Sequence, residues 1–361
     1  MGTTGRTREP WRAVALALGL ALGALPLGAS LHVLLAQRGT PGMASMAADT
    51  SAPHHSSMRA MMDVPLPFGI MIGRAGKWMV GYQYMFEKLD GLLDGANGVS
   101  QAEVLTRFAT TPTDMRMHMQ MGMIMYAPTD AFSVMAMLPH TTMSMGELHR
   151  DGTRSTERSS GIGDLEVRGL YSLYEAKDLR HRILANVGVG VPTGSVNQVD
   201  GEGIRTEYPM QTGSGTFSLL PGIAYLGQTL PWSWGAEVNA TVRFGRNEHA
   251  YRLGNRYEPS LWIARQLTGL VSLSTGASGE FWSNIHGSDS LLDPADEPTK
   301  DANRQGGRRL STSVQLSVHP ASGFFKDQQF LVQGEVPVVQ SLEGPQLKRR
   351  YALHAAAQWE F

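Results

Sequence analysis

Thioethers at every second residue are the first feature of this sequence that could do chemistry. Met115, Met117, Met119, Met121, Met123 and Met125 alternate with Arg116, His118, Gln120, Gly122, Ile124 and Tyr126, and ten of the 20 methionines fall between Met115 and Met145. Such a row is a soft ligand set for Cu(I) or Ag(I), and it is equally an adaptable apolar filler. His54, His55, Met58, Met61 and Met62 form a second soft-metal candidate upstream. Cysteine is absent, which removes thiolate sites and disulfides. Catalysis has little to stand on. A hydrolase needs a Ser or Thr bonded to a His that a third group orients. No G-x-S-x-G elbow occurs, and His286-Gly287-Ser288-Asp289 holds its candidates too close in sequence for a triad. The chain reads as no enzyme, and nothing in it calls for a cofactor.

The elements that must carry these residues are strands. From Lys77 onward, segments of about ten residues alternate with period two between turn residues. Trp232, Trp234, Ala236, Val238, Ala240, Val242 and Phe244 make one face of the clearest segment; Ser233, Gly235, Glu237, Asn239, Thr241 and Arg243 make the other. Aromatics at both ends of an apolar stripe are what two membrane interfaces select. About twelve such segments follow, and short connections largely alternate with long ones, as periplasmic turns and extracellular loops do. The expected fold is all-β: a closed antiparallel transmembrane barrel of about twelve strands over residues 77–361. Residues 1–36 read as a secretory signal, with Arg6, Arg8 and Arg12 before an Ala/Leu/Gly stretch. Residues 37–76 show neither helical nor strand period and read as a flexible extension. Charge is balanced, 31 Lys+Arg against 32 Asp+Glu, so no field favours nucleic acid.

Alternation also assigns faces. An arginine facing lipid costs ~2–4 kcal/mol at the midplane, so Arg116, His118 and Gln120 are expected inward and the Met115–Met125 row outward. The expected lumen residues are then Lys77, Met79, Met85, Arg116, His118, Gln120, Met135, Met137, Glu166, Arg168, Glu237, Arg243, Glu280, Glu335 and Arg350. Loops bearing Asp200 and Glu202, or Asp289, Asp293, Asp296 and Glu297, carry enough charge to bind divalent cations, although solvated loop charge is the commoner role.

Lys77-Trp78-Met79-Val80-Gly81-Tyr82-Gln83-Tyr84-Met85 resembles the opening string of a methionine-rich group of outer-membrane transporters. The Met-x-Met repeats, the Tyr126-Ala127-Pro128-Thr129-Asp130 turn and Ser159-Ser160-Gly161-Ile162-Gly163-Asp164 continue the likeness. The group is similar to the family named for a MetA pathway of phenol degradation. Relatives carry an Asp-His-Met-His string where this chain has Gly69-Ile70-Met71-Ile72-Gly73, so a metal role tied to those histidines does not transfer. The resemblance implies an outer-membrane channel or transporter for small solutes. A Met/His-rich accessory for copper or silver is the alternative, and an outer-membrane hydrolase a distant third. The expected location is the Gram-negative outer membrane. Expected partners are its lipid, a small-molecule or ion permeant, and the barrel-assembly machinery, reached through the terminal Phe361.

Overall fold

The computed structural model describes residues 72–320, 325–326 and 328–361. The signal and nearly all of the 37–76 extension lie outside the described residues, and with them His54, His55, Met58, Met61 and Met62.

Period-two sequence becomes strand because successive side chains of a strand point to opposite faces. The elements are β1 (Trp78–Gly95), β2 (Asn97–Val99), the short helix α1 (Gln101–Leu105), β3 (Thr110–Thr129), β4 (Phe132–His149), β5 (Arg154–Ile162), β6 (Leu165–Glu175) and β7 (His181–Val191). They continue with β8 (Ser218–Leu219), β9 (Gly222–Thr229), β10 (Trp232–Arg243), β11 (Arg256–Gln266), β12 (Val271–Trp282), β13 (Gly307–Val318) and β14 (Gln328–Glu360). All ladders between them are antiparallel, and the sheet closes where β1 meets β14. The strand β5 covers the upper half of β4 and β6 its lower half, so the two form one pass broken at Gly163-Asp164.

The last element is a hairpin. Phe330 to Leu342 pair with β13 and Leu342 to Glu360 pair with β1. Its arms lie side by side: the rings of Phe330 and Trp359 are 6.4 Å apart, and Gln340 exchanges hydrogen bonds of 2.9 and 3.0 Å with the Arg349 backbone. Among the described residues eleven long elements therefore make twelve passes, an even number, as an all-antiparallel closure demands.

Outward faces carry exposed Val, Ile and Leu, among them Val80, Ile124, Val134, Val187, Ile223, Leu273 and Val314. Aromatic residues flank this band. Trp78 and Tyr126 (ring centroids 4.6 Å apart), Trp232 and Trp359 mark the end that holds the short turns. Tyr257, Phe217 and Phe244 mark the other.

The facing of β3 is the reverse of the expectation. Met115, Met123 and Met125 are buried on the inner face, whereas Arg116, Gln120, Gly122 and Ile124 are exposed on the outer one. The midplane cost does not arise, for two reasons. At about 3.3 Å per residue and a tilt near 40°, Arg116 stands roughly 25 Å above Tyr126, at the far edge of the apolar band. There it shares a surface groove with Lys88, Asp90, Arg350 and Tyr351. Deeper polar groups are met by tyrosines on β1: His118 Nδ1 lies 2.7 Å from the Tyr84 hydroxyl, and Tyr82 donates to Gln120 Oε1 at 3.4 Å. Arg350 also points outward, because one extra residue between Arg349 and Tyr351 bulges the strand opposite Lys88 and Leu89. Lys77 is exposed before β1 rather than in the lumen.

The closing ladder runs out to Phe361. Trp78 and Phe361 exchange backbone hydrogen bonds of 3.1 and 2.9 Å, ending the β1–β14 ladder. Deleting Phe361, or introducing Trp359→Asp on the lipid face, should leave exported protein degraded in the periplasm. Outer-membrane yields equal to wild type in membrane fractions would refute this.

Candidate functional site

The inner surface has two unlike walls. On β1, β3 and β4, methionines face one another across the ladders: Met79 opposite Met125, Met125 opposite Met135, Met85 opposite Met119, Met123 opposite Met137, Met117 opposite Met143, and Met115 opposite Met145. Near the short-turn end Ile72, Leu170, Leu184 and Ala224 extend this surface. Sulfur on an unbranched chain lets such a wall stay closely packed without a fixed shape.

Across the lumen the inner residues of β10 to β13 are mostly hydroxyl and charged side chains, with Trp262 and Ala264 of β11 among them. Ser233, Ser272, Ser311, Gln315 and Ser317 are buried there. Above them Arg349 holds three carboxylates at 2.8 Å each: Glu87 on β1, Glu280 on β12 and Glu335 in the hairpin's first arm. Arg309 adds a contact of 3.3 Å to Glu280. A guanidinium can do this because its donors form a rigid planar fork. A second chain runs from Glu166 to Arg168 (2.9 Å), Asn186 (3.3 Å) and Asn239 (3.1 Å), then to Glu237 (3.2 Å) and Ser260 (3.0 Å).

The expected lumen residues thus divide. Met79, Met85, Met135, Met137, Glu166, Arg168, Glu237, Arg243, Glu280 and Glu335 are on the inner face. Lys77, Arg116, His118, Gln120 and Arg350 are not. Sequence reasoning missed Glu87, which continues the Met79–Met85 stripe by simple alternation, and Arg349, which the bulge hides.

At the long-loop end the chain gathers over the rim. Met210 of the 192–217 connection packs on Met115, Met143, Met145 and Leu92, and Tyr208, Tyr251, Ile285, Leu292 and Ala302 make a small core of loop residues. Asp164, at the break between β5 and β6, ties the longest connection down by accepting from Gly194 N (3.0 Å) and Ser214 N (3.0 Å). Beside these cores Glu147, Glu207 and Glu297 bring carboxylate oxygens within 4.8 Å of one another. Burial, with added repulsion from Glu207 and Glu147, holds the Glu297 carboxyl well above the usual carboxylate range.

The family model described as "Putative MetA-pathway of phenol degradation" matches residues 94–323. The chain belongs to this family. An outer membrane channel from Pseudomonas putida F1 has the same fold at 15% identity, with a TM-score of 0.57 over 82% of this chain and 100% of its own. More distant are the translocator domain of the autotransporter NalP from Neisseria meningitidis (10% identity, 85% of this chain and 96% of its own, TM-score 0.43) and the P. putida toluene transporter TodX (10%, 80% and 90%, 0.40). No curated protein sequence matches this chain.

A Ser–His contact does occur at the mouth, and its geometry is wrong for a nucleophile. Ser155 Oγ lies 2.8 Å from His149 Nε2 and also donates to Glu147 Oε2 at 2.8 Å. With its one proton on Glu147, the hydroxyl accepts from the imidazole, so His149 is not its base. The other ring nitrogen meets Thr110 Oγ1 at 3.0 Å instead of an orienting carboxylate.

Two outcomes follow from the faces. In this cysteine-free chain, Met119→Cys should react with a membrane-impermeant thiol reagent while Gln120→Cys in lipid stays protected; the inverse labelling would reverse the wall. Arg349→Leu strips the counter-charge from three carboxylates and should lower the unfolding free energy by about 3–5 kcal/mol, read from urea titration of tryptophan fluorescence. An unchanged midpoint would show that the clamp is not structural.

Proposed function

We propose that this protein is a channel of the Gram-negative outer membrane for small solutes and no enzyme, and that its divided lumen selects solutes with one apolar and one polar side. The observation that carries this reading is the uneven inner surface, with paired methionines on β1, β3 and β4 and, opposite them, a wall on β10 to β14 where serines and paired charges stand among a few apolar residues such as Trp262 and Leu331. A closed barrel satisfies its backbone without help from the lumen, so its inner side chains are free to set selectivity. A small aromatic alcohol suits both walls: its ring packs against sulfur and its hydroxyl meets serine or carboxylate. The family's description, which refers to phenol degradation, names the same chemical class.

A second reading, conduction of Cu(I) or Ag(I), draws support from the same wall, because cross-strand pairing sets methionines, whose thioethers suit soft cations, side by side along the inner face. Purified protein in a planar bilayer separates the two. The channel reading expects salt conductance that silver leaves intact, with ion selectivity altered by Glu237→Gln. Silver block that disappears in a Met119→Leu, Met121→Leu variant would favour the metal path. A silent bilayer would sink both.

A further inference from the structure

We infer that Glu147, Glu207 and Glu297, with Glu157 beside them, form a calcium-binding site that fastens the two longest outer connections to the barrel wall. Three observations carry this. The carboxylates come from separate parts of the chain: Glu147 from the upper end of β4, Glu157 from β5, Glu207 from the 192–217 connection and Glu297 from the 283–306 connection. Glu207 and Glu297 are 0% exposed and Glu147 5%. Most tellingly, both carboxylate oxygens of Glu207 and of Glu297, Oε1 of Glu147 and Oε2 of Glu157 accept no hydrogen bond.

Buried carboxylates without donors are among the costliest groups a protein can hold. Among the described residues the nearby ammonium of Lys300 does not answer the need. Its Nζ is 2.7 Å from Asp296, a normal ion pair, but 3.7 Å from Glu207. Ionised together, these four carboxylates would carry more negative charge than a lysine already engaged can offset. A hard divalent cation supplies that charge and takes oxygen ligands only. Coordination favours calcium: it takes about six to eight oxygens at about 2.3–2.6 Å in flexible geometry, which carboxylates gathered within 4.8 Å of one another can supply, whereas magnesium keeps several of its waters. Ser155 fixes Glu147 by donating to Oε2 and leaves Oε1 as the ligand atom. The backbone N–H groups of Ala109 and Thr110 both donate to Asp296 O at 2.9 Å, so the connection bearing Glu297 is already held at the rim.

The test uses full-length protein in lipopolysaccharide-free detergent and reads binding rather than conductance, so it stands apart from the channel proposal. Equilibrium dialysis with radioactive calcium should show a stoichiometry near one and sub-millimolar affinity. Calcium should raise the thermal midpoint by about 3–5 °C over a chelator control and protect the 192–217 and 283–306 connections from protease. Glu207→Gln and Glu297→Gln, checked for folding by heat-modifiable mobility, should each weaken binding at least tenfold. The dialysis and protease results on wild-type protein decide the matter if either variant fails to fold. No stoichiometric binding, equal protection by magnesium alone, binding unchanged in both variants, or stabilisation by acid with no response to calcium would each overturn the site; the last would mean that the carboxyls share protons.

Discussion

Backbone hydrogen bonding in a medium without water is the constraint on which everything else here depends. Lipid offers no donor or acceptor to an open sheet edge, so the β1–β14 ladder must close. Closure in turn fixes the even number of passes and makes a hairpin of the last element. It also leaves the chain one inner surface whose composition is not needed for satisfying the backbone. Methionine, serine and paired charges can occupy that surface because the barrel's stability is settled elsewhere.

The two walls differ in how they are held. The methionine wall is a packing arrangement between neighbouring strands, tolerant of shape. Opposite it, Arg349 ties carboxylates from β1, β12 and the hairpin into one knot. Removing the arginine exposes three like charges to one another, whereas removing one methionine leaves a gap its neighbours can fill. Rigidity and adaptability are thus assigned to opposite sides of a single lumen.

Much of the fold was legible in the sequence because period two is a direct image of a strand with unlike faces. The stripe from Trp232 to Phe244 gave its facing correctly. The β3 row did not, since methionine suits either medium and the decision passed to Arg116, His118 and Gln120. Their depth along the strand, and the tyrosines of β1 that meet them, are three-dimensional facts. Arg349 was lost to a single bulged residue, which shifts parity without any mark in the composition. Glu207 was invisible for another reason: its partners, Glu147 and Glu297, lie 60 and 90 residues away, and no local pattern reports which loops will meet.

The loop residues around Tyr208, Tyr251, Ile285, Leu292 and Ala302 form a core separate from the wall. A molecule with two cores need not lose both together. Five side chains bury far less apolar area than a barrel, so the rim belongs to the low end of the local stability scale. Loosening it leaves the strand ladders untouched. Passage through the outer end can therefore change on the timescale of a small opening event while the wall in the membrane stays kinetically locked.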